Sequence, residues 1–404
     1  MKERAGGFPD FVWAVGEEGS DPLVEGPDGR SYRHDQFASS GHWASVERDV
    51  ADVAGLGVRV FRYGMPWRRT ELEPGRYDWS AWDRALAACE KAGVEPIVDF
   101  LHFGLPDHYA GFLDAAWVEA FCRYVDAFLA RYRAPRWFTP VNEPGITALM
   151  SGLLGAWNDR RSSRADWVRI LAHVCLANLE AMARVRGNRD GWWIGAEGFG
   201  VPVAVAPEPG PETEAEVAEQ RALNWLVWDL QLGVEPLPAA EAELRALDDG
   251  LRARIAALAS RERVVAGHDF YPVSVAPVGG PAPAFTVDER VQLYEEEARR
   301  WYDRYRVPFW VAETSNLSLP VEQQIPWLRA LLARLERLRA DGLPMRGLCW
   351  YSRGDQFDWQ TGLVHPVGAV TEVGLFDAAR RPRPVAAEFA RLASRAVAER
   401  PSSA

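Results

Sequence analysis

Residues 79–103, WSAWDRALAACEKAGVEPIVDFLHF, decide the fold. In the first half, apolar residues recur at three- and four-residue steps, the period of a helix with one buried face. Asp78 and Ser80 offer N-cap chemistry before it and Gly93 supplies the stop. The second half holds a short apolar run, Pro96–Leu101, that reads as a strand buried on both faces. Polar Asp99 and His102 stand at its end. A helix feeding a buried strand that ends in polar side chains is one unit of an α/β fold.

Outward from this unit the pattern repeats. Apolar strand-like runs are Phe11–Val15, Val58–Tyr63, Pro96–Leu101, Trp137–Asn142, Trp192–Ala196, Val264–Phe270, Pro308–Ala312 and Gly347–Tyr351. Between them, residues 115–132, 165–187 and 325–342 carry the same helical period. Eight units are the arithmetic of a closed (β/α)8 TIM barrel. A doubly wound open sheet is the alternative, but it calls for a glycine-rich phosphate turn and the chain has no GxGxxG. Residues 201–215 and 272–284 are rich in Pro and Gly and are expected as loops at the barrel's C-terminal face. No composition break marks a second domain, so residues 1–404 read as one catalytic barrel with a flexible tail over 395–404.

Composition excludes several functions. The 48% hydrophobic and 25% charged residues are those of a soluble globular protein. A net charge of −11 argues against a nucleic-acid partner, which needs a basic face. The N-terminus lacks a signal-like apolar run and no stretch is long enough to span a bilayer, so no membrane partner and a cytoplasmic location are expected. Cys89, Cys122, Cys175 and Cys349 form no CxxC and read as small buried hydrophobes. No cofactor is called for. The 18 Trp are a surplus suited to stacking on sugar rings as well as to filling a core.

The barrel reading demands polar side chains where strands end. Asp99, His102, Asn142, Glu143, Glu197, Asp269, Tyr271, Glu313, Asp355 and Asp358 meet it. Buried carboxylates are costly, so a ring of them around one mouth points to a polar site rather than to packing. Two carry the chemistry: Glu143 in WFTPVNEPG (137–145) and Glu313 in PFWVAETSN (308–316). Retaining glycoside hydrolysis uses two carboxyl groups about 5–5.5 Å apart, and strand ends four and seven face each other across a barrel mouth. Repulsion between the two is expected to raise the pKa of Glu143, making it the general acid/base and Glu313 the nucleophile. Each Glu alone also fits a turn or helix cap; the pair is the signal. A metal site from His102, His268 and Asp269 is a weaker alternative, without a spaced ligand motif.

WFTPVNEP and VAETSN resemble the acid/base and nucleophile motifs of clan A glycosidases, and in detail those of glycoside hydrolase family 1, the β-glucosidase family. The likeness runs along FVWAVG (11–16), residues 42–67 with Arg62, VEPIVDFLHFGLPDHY (94–109) with His102, GHDFYPVS (267–274) with Tyr271, and YSRGDQFDWQTGL (351–363). Residues 139–157 and 224–233 resemble a divergent branch of family-1-like domains. The resemblance implies a retaining β-glycosidase of a small glycoside, with Arg62 near Glu313 and Asn142 on the sugar 2-hydroxyl. It also implies sugar contacts from His102, Asp269, Tyr271, Trp350, Tyr351, Asp358 and Trp359. Four positions depart from the family pattern. Asp21 falls by count where the family has Gln, Phe103 replaces Trp, Asp269 replaces Asn and Asp358 replaces Glu. Arg353 replaces an apolar residue and suggests an acidic or decorated sugar. A transglycosylase uses the same two carboxylates, and an idle sugar-binding barrel would have the same fold.

Overall fold

The computed structural model describes residues 7–26, 28–206 and 208–398. Eight parallel strands close into a barrel in chain order. They are β1 (Val12–Glu17), β2 (Val60–Gly64), β3 (Glu95–Asp99), β4 (Trp137–Thr139), β5 (Trp192–Ile194), β6 (Val264–Asp269), β7 (Phe309–Thr314) and β8 (Met345–Tyr351). Pairing of Val12–Gly16 with Gly347–Tyr351 closes the ring. One long helix follows each strand: α1 (His42–Gly55), α2 (Ser80–Ala92), α3 (Ala116–Arg131), α4 (Arg164–Asn188), α5 (Pro211–Leu232), α6 (Val287–Tyr305), α7 (Gln324–Ala340) and α8 (Pro384–Ala398). The expected stop at Gly93 is there: it takes the left-handed conformation, φ 65°, and its N–H satisfies the last carbonyls of α2.

Side-chain alternation sorts the strand residues into two cores. Val12, Ala14, Val60, Ile97, Ile194, Val265, Trp310, Ala312 and Cys349 point inward and fill the barrel. Phe8 plugs the bottom, edge-on to Trp137 and Trp310 at 5.1 and 5.8 Å. Their neighbours Val15, Phe61, Val98, Phe138, Trp193, Val311 and Leu348 point outward into the larger core beneath the helices. Two residues above Val60 and Ile97, the same parity carries Arg62 and Asp99 inward at the top. The interior thus turns from apolar to charged along single strands, because its upper layer is a site and its lower layer is packing.

Both expected loops need correction. Val201–Ala204 and Val275–Val278 pair as a small parallel ribbon, and α5 already begins at Pro211. The strands that precede them are neighbours, so two Pro-rich segments leaving adjacent strand ends satisfy each other's backbone groups. Of the expected tail, residues up to Ala398 continue α8, and residues 399–404 lie outside the described residues. Among the described residues, no helix is long and apolar enough to cross a membrane.

Candidate active site

A cavity of about 640 Å³ opens at the C-terminal ends of the strands. Glu143 and Glu313 both line it, with Glu18, His102, Glu197, Asp269, Tyr271, Gln356 and Trp359. Strand parity alone does not put Glu313 there. With Trp310 and Ala312 inward, strict alternation would send Glu313 toward the helices. The ladder slips instead: Val311 and Thr314 on β7 face Leu348 and Trp350 on β8, three residues advancing against two. The matching slip against β6 lies between His268 and Asp269. This bulge turns Ala312 and Glu313 inward in succession and returns Thr314 outward, where its hydroxyl accepts from Trp327 Nε1 at 2.9 Å.

Glu143 is placed by a different irregularity. Its backbone is left-handed, φ 39° and ψ 65°, a conformation that costs a non-glycine residue energy and needs support. Support comes from both sides. Its N–H donates to Ala196 O at 3.0 Å, and Pro144 starts the short helix Pro144–Ala148. The carboxyl group of Glu197, on the neighbouring strand end, accepts from Gly145 N at 2.9 Å and Gly198 N at 3.0 Å. A side chain at position 145 would collide with Glu197, since a Cβ there lies 2.6 Å from its Oε1.

The two carboxyl groups meet unlike surroundings. Glu313 Oε1 accepts from Arg62 Nη1, and Oε2 accepts from the Tyr271 hydroxyl at 2.7 Å. Arg62 is 1% exposed and also donates to Asp99 at 2.9 Å and to Asn142 Oδ1. That last bond orients the Asn142 amide, so Nδ2 faces His102 Nε2 at 3.0 Å. His102 Nδ1 faces Asp99 at 2.8 Å, and a neutral ring protonated on Nδ1 satisfies both contacts. Among the described residues, no cationic side chain forms an ion pair with Glu143. Burial, then the charges of Glu313 and Glu197, hold its pKa well above the carboxylate range. Burial and the charges of Glu313 and Glu143 do the same to Asp269. Glu197 is pushed up to about 8 by burial, partly offset by its backbone donors. The site therefore pairs one carboxylate, Glu313, fixed by donors on both oxygens, with Glu143, one of three buried carboxyl groups that favour their protons. Such a pair can deliver a proton and a nucleophile to the same bond.

Of the residues expected to touch substrate, Arg62 and Asn142 lie beneath the carboxyl pair, and His102, Asp269, Tyr271 and Trp359 line the cavity. Others are corrected. Trp350 points outward with the helix-side core, its Nε1 donating to Val373 O, as parity with inward Cys349 and Tyr351 requires. Tyr351 lies below the lining, its ring parallel to His102 at 6.1 Å and under the Arg62 guanidinium at 5.4 Å. The Asp358 carboxylate is spent on Gly368 N, Ala369 N and His34 Nε2, at 3.0, 2.7 and 3.1 Å. Asp21 turns away to Arg68. Asp355 accepts from Gly374 N, Ala378 N and Arg383, outside the cavity. Arg353 is buried against Glu17 and Asp49 and faces no sugar. His268 stacks on Phe199 at 3.9 Å with Nδ1 on the Tyr294 hydroxyl, so the set His102, His268 and Asp269 is not brought together.

Glu18 and Gln356 are among the polar lining residues that escape the sequence reading. Glu18 directly follows β1, in the connection where counting favours Asp21, and its Oε2 accepts from Gln356 Nε2 at 3.0 Å. A signal for it exists: Glu18 is the first carboxylate past an inward-facing strand. Also missed is an apolar wall of Ile146, Leu149, Trp167, Phe199, Leu223 and Val227, drawn from the β4 and β5 connections and from α4 and α5.

Barrel and carboxyl pair together define the class: a (β/α)8 protein built like the glycoside hydrolases. The profile of glycosyl hydrolase family 1 matches residues 16–230. The chain belongs to glycosyl hydrolase family 1, a family of hydrolases of O-glycosyl bonds. It is 26% identical over 253 residues to "Beta-glucosidase 4" of Oryza sativa subsp. japonica, covering 57% of this chain and 48% of that protein. It is 23% identical over 384 residues to "Beta-glucosidase 1B" of Phanerodontia chrysosporium, covering 79% and 70%. The chain spans about half the length of the first of these relatives. The family 1 β-glucosidase of Thermotoga maritima superposes with a TM-score of 0.80 at 15% identity, covering 98% of this chain and 99% of that one, which shows the fold.

Proposed function

We propose that this chain is a retaining β-glycosidase that hydrolyses a small β-glycoside in two displacements, the barrel acting as one catalytic unit. Glu313 attacks the anomeric carbon while Glu143 gives its proton to the departing oxygen. The glycosyl ester removes the charge of Glu313, so Glu143 loses the repulsion that held its proton and serves as base toward water. The hydroxide equivalent then displaces Glu313 from the anomeric carbon. The observation that carries the reading is the asymmetry of the pair: Arg62 and Tyr271 both donate to Glu313, whereas burial and like charges keep Glu143 protonated.

Asn142, oriented by Arg62, meets the 2-hydroxyl. Glu18, His102 and Gln356 form the polar end of the cavity and take the remaining hydroxyls, with Trp359 beside the ring. The named relatives are β-glucosidases; the Asp358 carboxylate, turned into its own loop, leaves the outer hydroxyls to Glu18 and Gln356 instead. Four free, buried cysteines support a reducing, cytoplasmic compartment.

The test is covalent labelling. Incubation with a panel of activated 2-deoxy-2-fluoro-β-glycosides should yield one adduct, and peptide mass spectrometry should place it on Glu313. The sugar that labels fastest identifies the glycosyl group. A folded protein that binds these sugars and forms no adduct would end the retaining reading.

A further inference from the structure

The cavity is divided at Glu143. Toward β1, β3 and β8 it offers the hydroxyl-binding groups Glu18, His102 and Gln356. Toward β4 and β5 it extends past the strand ends into an apolar compartment lined by α4 and α5. The apolar wall begins at Glu143 itself. A Cβ on Gly198 would lie 2.9 Å from Ile146 Cδ1 and 3.4 Å from Glu143 Oε1, so the carboxyl group and the first apolar side chain abut the same glycine. Farther out, α4 contributes Trp167 and Leu171, and α5 contributes Leu223 and Val227. Each pair is spaced by four residues and so stands on one face of its helix, and both faces meet in this cavity. Leu171 and Val227 are 1% and 2% exposed, whereas Val273, which lines the cavity from the β6 connection, is 58% exposed. The compartment is closed at depth and open at one rim.

The polar side chains on this side are already committed within the protein. Glu197 accepts from Gly145 N and Gly198 N, and Asp269 is hydrogen-bonded to Glu143. Arg164 pairs with Glu219 and Glu243, each at 3.0 Å. Gln220 donates to Glu216 at 3.3 Å, Asn224 donates to Gly200 O at 3.5 Å, and Ser274 Oγ accepts from Tyr271 N at 3.0 Å. A second sugar or a charged group placed here would bury polar atoms that find few partners, and would lose affinity for each. A hydrocarbon body gains with every methylene it takes out of water.

Resting on the glycosidase reading, we propose that the leaving group is a neutral alcohol with an extended hydrocarbon body, seated in the compartment between α4 and α5, so that the substrate is an amphiphilic glycoside rather than a chain of sugars. The position of Glu143 assigns the two halves. Its proton goes to the glycosidic oxygen, and what that oxygen carries lies against Ile146, on the side away from Glu18 and Gln356. The glycosyl unit keeps the polar end. In the first displacement the bond between the anomeric carbon and this oxygen breaks, the oxygen takes the Glu143 proton and departs as the alcohol, and the ester forms on Glu313.

The test is a series of alkyl 1-thio-β-glycosides, ethyl to hexyl, whose sulfur link resists hydrolysis, titrated by calorimetry into the full chain. The series carries the sugar that labels Glu313 fastest, or glucose if none labels. Affinity should rise about fourfold for each added methylene, the gain from burying one such group. Leu223→Ser, at a half-buried position, should weaken the hexyl ligand about tenfold and leave the ethyl ligand within about twofold. Val367→Ser, at a position 69% exposed and outside the cavity lining, should change neither. The wild-type series decides even without the variants. The proposal is overturned if no member binds, if the hexyl ligand binds no tighter than the ethyl one, or if a thio-linked disaccharide binds tighter than the hexyl ligand. A slope unchanged in folded Leu223→Ser, or an equal loss in Val367→Ser, overturns it as well. None of these results depends on turnover. Fluoroglycoside labelling of Glu313 judges the glycosidase reading separately, so the two can fail independently.

Discussion

Glu197→Gln tests whether the buried carboxyl group behind Glu143 is held as a proton-bearing strut. Glu197 starts from an ordinary value of 4.5 and burial lifts it to about 8. Its folded-state pKa is raised, so the folded protein binds the proton more tightly than the unfolded chain. That contribution is full below about pH 4.5 and is lost as pH rises through about 8. At about 1.36 kcal/mol per pKa unit, the wild type gives up about 3.5 kcal/mol of stability between pH 5 and pH 8 from this group. Glutamine keeps the shape and does not titrate, but its Nε2 faces either Gly145 N–H or Gly198 N–H and strands one donor. The cost is about 1–3 kcal/mol at every pH. A chain of this length has an unfolding entropy of about 0.85 kcal/mol/K, so 3.5 kcal/mol corresponds to about 4 °C. Scanning calorimetry of both proteins at pH 5 and pH 8 should show Glu197→Gln melting about 1–3 °C lower in acid and level with or above the wild type in base. Taking the difference cancels other titrating groups that do not contact position 197. A melting difference that is the same at the two pH values would refute the buried-proton account.

Three further outcomes follow from the site. Glu143→Gln should cut kcat/KM about 10²–10⁴-fold on alkyl glycosides and far less on dinitrophenyl glycosides, whose leaving group needs no proton; equal losses on both would remove Glu143 as the acid. Arg62→Met leaves Glu313 and Asp99 buried without their shared cation, and should lower stability by about 3–5 kcal/mol in thermal unfolding; an unchanged melting temperature would deny that Arg62 holds the pair. Asp358→Asn should lower stability by about 1–2 kcal/mol through its lost loop contacts while KM for the labelling sugar stays put. Glu18→Ala should raise that KM, and the reverse pattern would return Asp358 to the sugar.

The barrel is legible because its signals are redundant. Each of eight apolar runs announces a strand, and the helices between them announce parallel pairing. A boundary error, such as Phe11–Val15 against the observed Val12–Glu17, does not alter the count. The polar ring is legible too, since a carboxylate at a buried strand end is costly unless a polar site surrounds it. What sequence does not resolve is direction. The family resemblance assigns Trp350 to the sugar, although alternation with Cys349 and Tyr351 sends it outward. Asp21 and Asp358 lie in turns, where counting fails and an i to i+2 hydrogen bond such as Ser20 N to Glu18 decides which side chain faces the mouth. The ribbon between Val201–Ala204 and Val275–Val278 joins segments that no local pattern relates.

The two catalytic candidates share a feature that neither motif displays: each reaches the cavity through a departure from regular backbone. Glu313 depends on an extra residue in β7, and Glu143 on a left-handed turn after β4. In both cases the departure is held by a neighbouring element. Trp327 on α7 secures Thr314 just past the bulge, and Glu197 on the β5 end secures the turn through Gly145. Regular strands would present alternate residues with fixed spacing and could not tune the separation of two carboxyl groups. A bulge and a turn can, provided the layer behind them is rigid. On the retaining reading proposed above, the separation of the two carboxyl groups depends on the residues that hold this bulge and this turn, and Thr314, Trp327 and Glu197 are its positioning residues.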